Sequence, residues 1–110
     1  MIAVELTADS VHQGDRVFAI VRKQKKDATG RYRFVRGEKA DAFEIVEASV
    51  TELHFNWNFR ALDSVWTLAL TTAPSEEYKL GRFIESVMLD ACFSFRKEAE
   101  EAFKTRFCNQ

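Results

Sequence analysis

Few residues in this sequence have the type and spacing that reactive chemistry requires. The two histidines, His12 and His54, are far apart, and neither lies in an HExxH motif or a Cys/His spacing suited to zinc. Cys92 sits in an apolar run, LDACF, where a thiol packs rather than reacts, and Cys108 lies close to the end. Glu44, Glu47 and Glu52 recur along one strand-like run and can supply a carboxylate pair for acid–base work. A solvated strand face accounts for the same spacing with fewer assumptions. With four glycines and no GxGxxG, Walker or GxSxG pattern, the chain has no obvious phosphate cradle or nucleophile elbow. The sequence therefore predicts no metal, no cofactor and no enzyme.

What it does carry is separated charge. From Arg16 to Lys39 there are nine Lys and Arg against two acids, whereas residues 40–90 hold nine acids and three bases. A net charge of −1 conceals this asymmetry, which produces a field that steers a charged partner. Lys25, Lys26, Arg31, Arg33 and Arg36 fall on a predicted hairpin, close enough together to contact several phosphates or an acidic protein surface. Tyr32 and Phe34 alternate with the arginines, so their rings either stack on a base or face the core. Charged strands also protect a sheet edge from pairing, so the same residues have a plain structural use. Trp57 and Phe59, in NWNFR, are the candidate apolar anchors, unless they fold back as lids over one end of the domain. The binding residues expected are thus Lys25, Lys26, Arg31, Arg33, Arg36 and Trp57. A pI near 6.1 is low for a nucleic-acid binder. The order of expected partners is a protein or ribonucleoprotein first and nucleic acid second, with a homodimer also compatible.

The elements that must position these residues are mainly β. At 110 residues, 46% hydrophobic and 30% charged, with ten Phe, the chain reads as a single folded domain over 1–110. No apolar run approaches the roughly 20 residues needed to cross a bilayer, so no membrane is expected. MIAVELTADS lacks the features of a signal peptide, and two thiols suit a reducing compartment, so cytoplasm is expected. Alternation predicts strands at Ile2–Leu6, Arg16–Lys23, Arg31–Arg36, Phe43–Phe55, Val65–Thr72 and Arg82–Met88. Arg31–Arg36 is expected to return as the hairpin partner of Arg16–Lys23. The phase of Phe43–Phe55 slips near Ala48, which predicts a bulge. Asn56–Ser64 reads as a polar turn. Helical spacing of Phe95, Ala99, Ala102, Phe103 and Phe107, after Ser94 as N-cap, predicts a closing amphipathic helix over 94–107. The expected core is Val17, Ala19, Val21, Phe43, Ile45, Leu53, Trp66, Leu68, Leu70, Phe83, Ala99 and Phe103. The fold class is mainly β (α+β): a curled antiparallel sheet or SH3-like barrel of five to six strands over 2–93, capped by the helix.

The order of Gly14-Asp15-Arg16-Val17-Phe18, then Phe43 to Leu53, then Asp90-Ala91-Cys92-Phe93 running into Arg96-Lys97-Glu98-Ala99, resembles small SH3-like barrel proteins of phages and mobile elements. The basic hairpin is longer than a minimal barrel of that kind needs, and Phe95 stands where Ser or Thr is usual. The resemblance implies a non-catalytic module that docks on and inhibits a host complex, of the anti-defence or anti-CRISPR type.

Overall fold

The computed structural model describes residues 6–59 and 61–107. Seven strands precede one helix: β1 (Arg16–Arg22), β2 (Gln24–Lys26), β3 (Tyr32–Phe34), β4 (Phe43–Asn58), β5 (Asp63–Thr72), β6 (Phe83–Met88), β7 (Cys92–Phe93) and α1 (Arg96–Phe107). Five form one antiparallel sheet in the order β6-β5-β4-β1-β7, and β2 and β3 form a separate two-stranded ribbon. The two outermost strands are joined by a single 3-10 turn, Leu89–Ala91. Four peptide steps reach no further than about 14 Å, so the sheet must curl to bring its edges that close. It does not close into a barrel, because β7 is two residues long and pairs with β1 alone. Of the two forms expected, the curled open sheet is the one adopted.

β1 is covered on both faces, which explains its unbroken apolar run VFAIV. Val17, Ala19 and Val21 face the concave side with Ala48, Val50, Leu68, Leu70, Val87 and Cys92. Ile20 faces the other side, where Phe93 and Ala99 join it in a second cluster with Phe18, Phe43, Ile45, Phe103 and Phe107 around them. Among these, each fully buried Val, Leu, Ile or Phe side chain contributes about 1.5–3 kcal/mol. The Phe107 ring stacks on Phe43 at 4.7 Å and fastens the end of α1 to the start of β4. The Phe95 carbonyl accepts the first helical hydrogen bond from the Ala99 N–H at 3.2 Å. Phe95 therefore occupies the cap position expected of Ser94, and its ring lies exposed rather than on the apolar face.

The bulge expected near Ala48 lies further along, between Val50 and Glu52. Thr51 is the extra residue, and its hydroxyl donates to the Ala69 carbonyl at 2.9 Å. Beyond it the odd residues of β4 take over the concave face: Leu53 opposite Leu68, Phe55 opposite Trp66, Trp57 opposite Ser64. The Asn56–Ser64 turn shrinks accordingly, since strand runs to Asn58 and resumes at Asp63. Trp66 and Phe83, both expected in the core, are exposed, because they lie where β5 and β6 extend past or edge the packed sheet. The predicted pairing of Arg31–Arg36 with β1 is also replaced. β4 takes that place along β1, and β3 pairs with β2 instead. The predicted strand Ile2–Leu6 lies outside the described residues except for Leu6, which packs against the concave core. Among the described residues no helix is long and apolar enough to cross a membrane.

Candidate binding surfaces

Asp27 organises the basic ribbon. Its Oδ1 accepts from the Thr29 N–H at 2.8 Å, the Thr29 hydroxyl at 2.5 Å and the Arg31 N–H at 3.1 Å, while Oδ2 accepts from Arg33 Nε at 2.7 Å. The Thr29 hydroxyl and the Arg33 guanidinium, in that order, hold this carboxyl down to about 2. Gly30, at φ +84, completes the turn, with its N–H donating to the Asp27 carbonyl at 3.1 Å.

The ribbon is seated on the loop that follows β5. Tyr32 stacks on Tyr78 at 4.9 Å and donates its hydroxyl to the Glu77 carbonyl at 3.0 Å; Tyr78 donates in turn to Gln24 Oε1 at 3.1 Å. Burial pushes the Tyr78 phenol above its ordinary value. At the base, Arg22 Nη1 donates to the carbonyls of Val35 at 2.9 Å and Gly37 at 2.6 Å, and its guanidinium lies 4.5 Å over the Phe43 ring. Buried Arg82 donates from Nη2 to the Arg22 carbonyl at 2.8 Å and pairs with Glu44 at 3.2 Å. Gly81, at φ +82, brings Arg82 into place: a Cβ there would collide with the Thr72 carbonyl oxygen.

On this frame Lys25, Lys26, Arg31, Arg33 and Arg36 are all exposed. Lys25 and Arg33 are direct cross-strand partners, so they share the face opposite Tyr32 and Phe34. Their charges are not equally available. Arg33 is committed to Asp27, and Lys26 Nζ lies 5.3 Å over the Tyr32 ring. Among the described residues, Lys25, Arg31 and Arg36 have no ion-pair partner. Tyr32 is consumed in seating the ribbon, whereas Phe34, contrary to a core position, is 62% exposed.

Trp57 belongs to a different surface. The ribbon is seated beyond the end of β5, while Trp57 pairs near its start, eight residues or roughly 25 Å of strand away. Trp57 and Phe59 are not lids: both are exposed. Sequence reasoning missed their neighbours Phe55, Trp66 and Leu62. The alternation of Leu53, Phe55 and Trp57 across intervening Asn residues was the available signal, and reading the asparagines as turn formers obscured it.

An open cleft of about 840 Å³ lies between these regions, lined by Phe34, Phe43, Phe83 and Phe107 with Arg22 and Arg82. Of its three arginines, Arg22 and Arg82 are occupied by the contacts already described, and Arg106, which also lines it, donates from Nη2 to the Asp90 carbonyl at 2.5 Å. The remaining candidates are dispersed. Glu44 pairs with Arg82, Glu47 with Arg16 at 3.0 Å, and Glu52 with His54 at 2.6 Å, so no two carboxylates share a site. Cys92 is fully buried, and burial followed by the Asp90 charge pushes its thiol up to about 12. Among the described residues no group of three or more His, Cys, Asp and Glu is placed to hold a metal. Comparison of the chain with protein-family models, with curated proteins and with solved structures returned no match.

Proposed function

We propose that this protein is a non-catalytic binding module that docks on, and modulates or inhibits, a protein or ribonucleoprotein partner through the basic ribbon β2–β3. One observation carries the reading: Lys25, Arg31 and Arg36 stand exposed with no ion-pair partner among the described residues, on a ribbon held in place by Asp27, Tyr78 and Arg22, with Arg82 bracing Arg22. Solvation and edge protection ask only that charges be present. They do not ask that the ribbon be fixed in one orientation, which lowers the entropy cost of binding. Docking on an acidic surface of a protein complex in the cytoplasm uses that field for steering and register. An inhibitory role, as the resemblance to phage barrel proteins implies, belongs to the same proposal.

Direct nucleic-acid binding is the second reading, and exposed Phe34, on the same face of the ribbon as Lys26, favours it. A photo-crosslinking residue at Ala28, in the ribbon turn, should trap the partner, while the same residue at Ser94 should not. Equal trapping at both positions would refute the ribbon as the docking surface. Oligonucleotide titration at physiological salt with a steep salt dependence would put nucleic acid first.

A further inference from the structure

The β4–β5 hairpin reaches past the rest of the sheet. β1 pairs with β4 only as far as Ser49, and β6 pairs with β5 only from Thr67 onward. From Phe55 to Asn58, β4 and the β5 residues it pairs with, Asp63 to Trp66, therefore have only each other as strand neighbours. A two-stranded ribbon with no third strand is marginal in water, yet this one carries large apolar side chains. Phe55 and Trp66 meet edge to face at 5.0 Å, and Trp57 follows Phe55 on the same face. Exposures are 55% for Phe55, 56% for Trp57, 41% for Trp66, 84% for Phe59 and 72% for Leu62. At about 200 Å² per large side chain this is on the order of 600 Å² of open apolar surface. That is the upper end for a monomer, and most of the roughly 800 Å² each partner gives to a standard interface.

The turn adds an independent sign. Leu62 has φ 54, the left-handed region that glycine or asparagine occupies at less cost. A leucine held there with its side chain in solvent accepts strain without a packing return inside the fold.

We propose that this aromatic end is a two-fold interface between two copies of the chain. In an isologous contact the same patch lies on both sides, residue i meeting j and j meeting i, so a patch dense in one sign of charge repels itself. The basic ribbon is excluded on that ground. From Glu52 to Trp66 the sequence holds two acids and one arginine, a formal charge of only −1 on fifteen residues. A nearly neutral aromatic face is what can sit against its own image. The dimer would present two basic ribbons to a partner, and the proposal does not depend on what that partner is.

Both tryptophans of the chain, Trp57 and Trp66, lie in this surface, so intrinsic fluorescence reports on it without a label. Sedimentation velocity and Trp emission should be followed together from low-micromolar to near-millimolar protein. The expected result is a species of twice 12.7 kDa whose emission shifts to the red as it dissociates on dilution. Phe55→Thr with Trp57→Thr should weaken the dimer at least about thirtyfold, with far-UV circular dichroism retained. A wild-type protein that stays monomeric with solvent-exposed Trp emission overturns the proposal and leaves the surface to another partner. A dimer that persists unchanged in a folded double variant also overturns it. If the variant fails to fold, the wild-type dilution series decides alone.

Discussion

Replacing Arg82 by Met tests how the ribbon is held. The guanidinium is buried, donates to the Arg22 carbonyl at 2.8 Å, pairs with Glu44 at 3.2 Å, and leaves its Nε without a hydrogen-bond partner among the described residues. Methionine keeps most of the stem's packing and removes all three polar terms. Loss of the charge-assisted bond to Arg22 costs about 2 kcal/mol. The Glu44 pair contributes at most about 1 kcal/mol, because the Glu44 side chain is 37% exposed and rehydrates when released. Against these stands relief from burying a guanidinium with an orphaned donor, about 1–2 kcal/mol. The net expectation is a destabilisation of about 1.5 kcal/mol, or a Tm lower by roughly 8 °C. Urea unfolding of Arg82→Met, Glu44→Gln and the double variant should give a coupling below about 1 kcal/mol. Hydrogen exchange should rise at the Val35 amide, which bonds the Lys23 carbonyl at 2.9 Å at the ribbon's base. A variant as stable as wild type, with Val35 still protected, would refute the account of Arg82 as the anchor of the ribbon. A coupling of several kcal/mol would refute the discount for Glu44 exposure.

Three further outcomes follow from the geometry. The Asp27 carboxyl is held at about 2 against an ordinary 3.8, so its support for the ribbon turn is complete above 3.8 and is lost as pH falls through about 2. The Thr29 and Arg31 amide resonances should track that titration, and Asp27→Asn should abolish it; an Asp27 titrating near 3.8 would show that the bonds do not persist. Leu62→Gly should leave unfolding stability within about 0.5 kcal/mol of wild type, strain relief offsetting the entropy of glycine, while weakening self-association measured by sedimentation; a large loss of stability would place Leu62 in the fold's own packing. In a Cys108→Ser background, Cys92 should resist a thiol reagent at neutral pH and react only as fast as the protein opens, since its thiol is buried and pushed up to about 12; rapid labelling of the native protein would contradict that burial.

Much of the fold was legible because apolar period is a strong signal where a strand is packed on at least one side. β1, the first half of β4, the inner half of β5 and α1 all fall where their sequence patterns predict. What failed shares a cause: alternation reports that a face is apolar, not what covers it. Trp66 and Phe83 alternate like core residues and are exposed, because β4–β5 outruns its neighbours and β6 is an edge. Arg31–Arg36 alternates like a long return strand, yet β1 is already filled by β4 on one side and β7 on the other. Of the candidate site, the cations were legible as a charge cluster. Their inequality was not, since Arg33 is neutralised by Asp27 through a turn that composition does not reveal. The clamp joins Arg22, at the end of β1, to Tyr78 and Arg82, in the stretch between β5 and β6, and leaves no local pattern to read.

The most direct test of the ribbon as a docking surface is affinity capture at physiological salt with wild type and with the Lys25→Glu, Arg31→Glu, Arg36→Glu variant side by side. Arg33 is left in place so that Asp27 and the turn stay intact. The account predicts a discrete protein or ribonucleoprotein retained by wild type, resistant to nuclease treatment, and lost from a variant whose Tm is within a few degrees of wild type. Capture of the same protein by both forms, or capture by wild type that nuclease removes entirely, would contradict it.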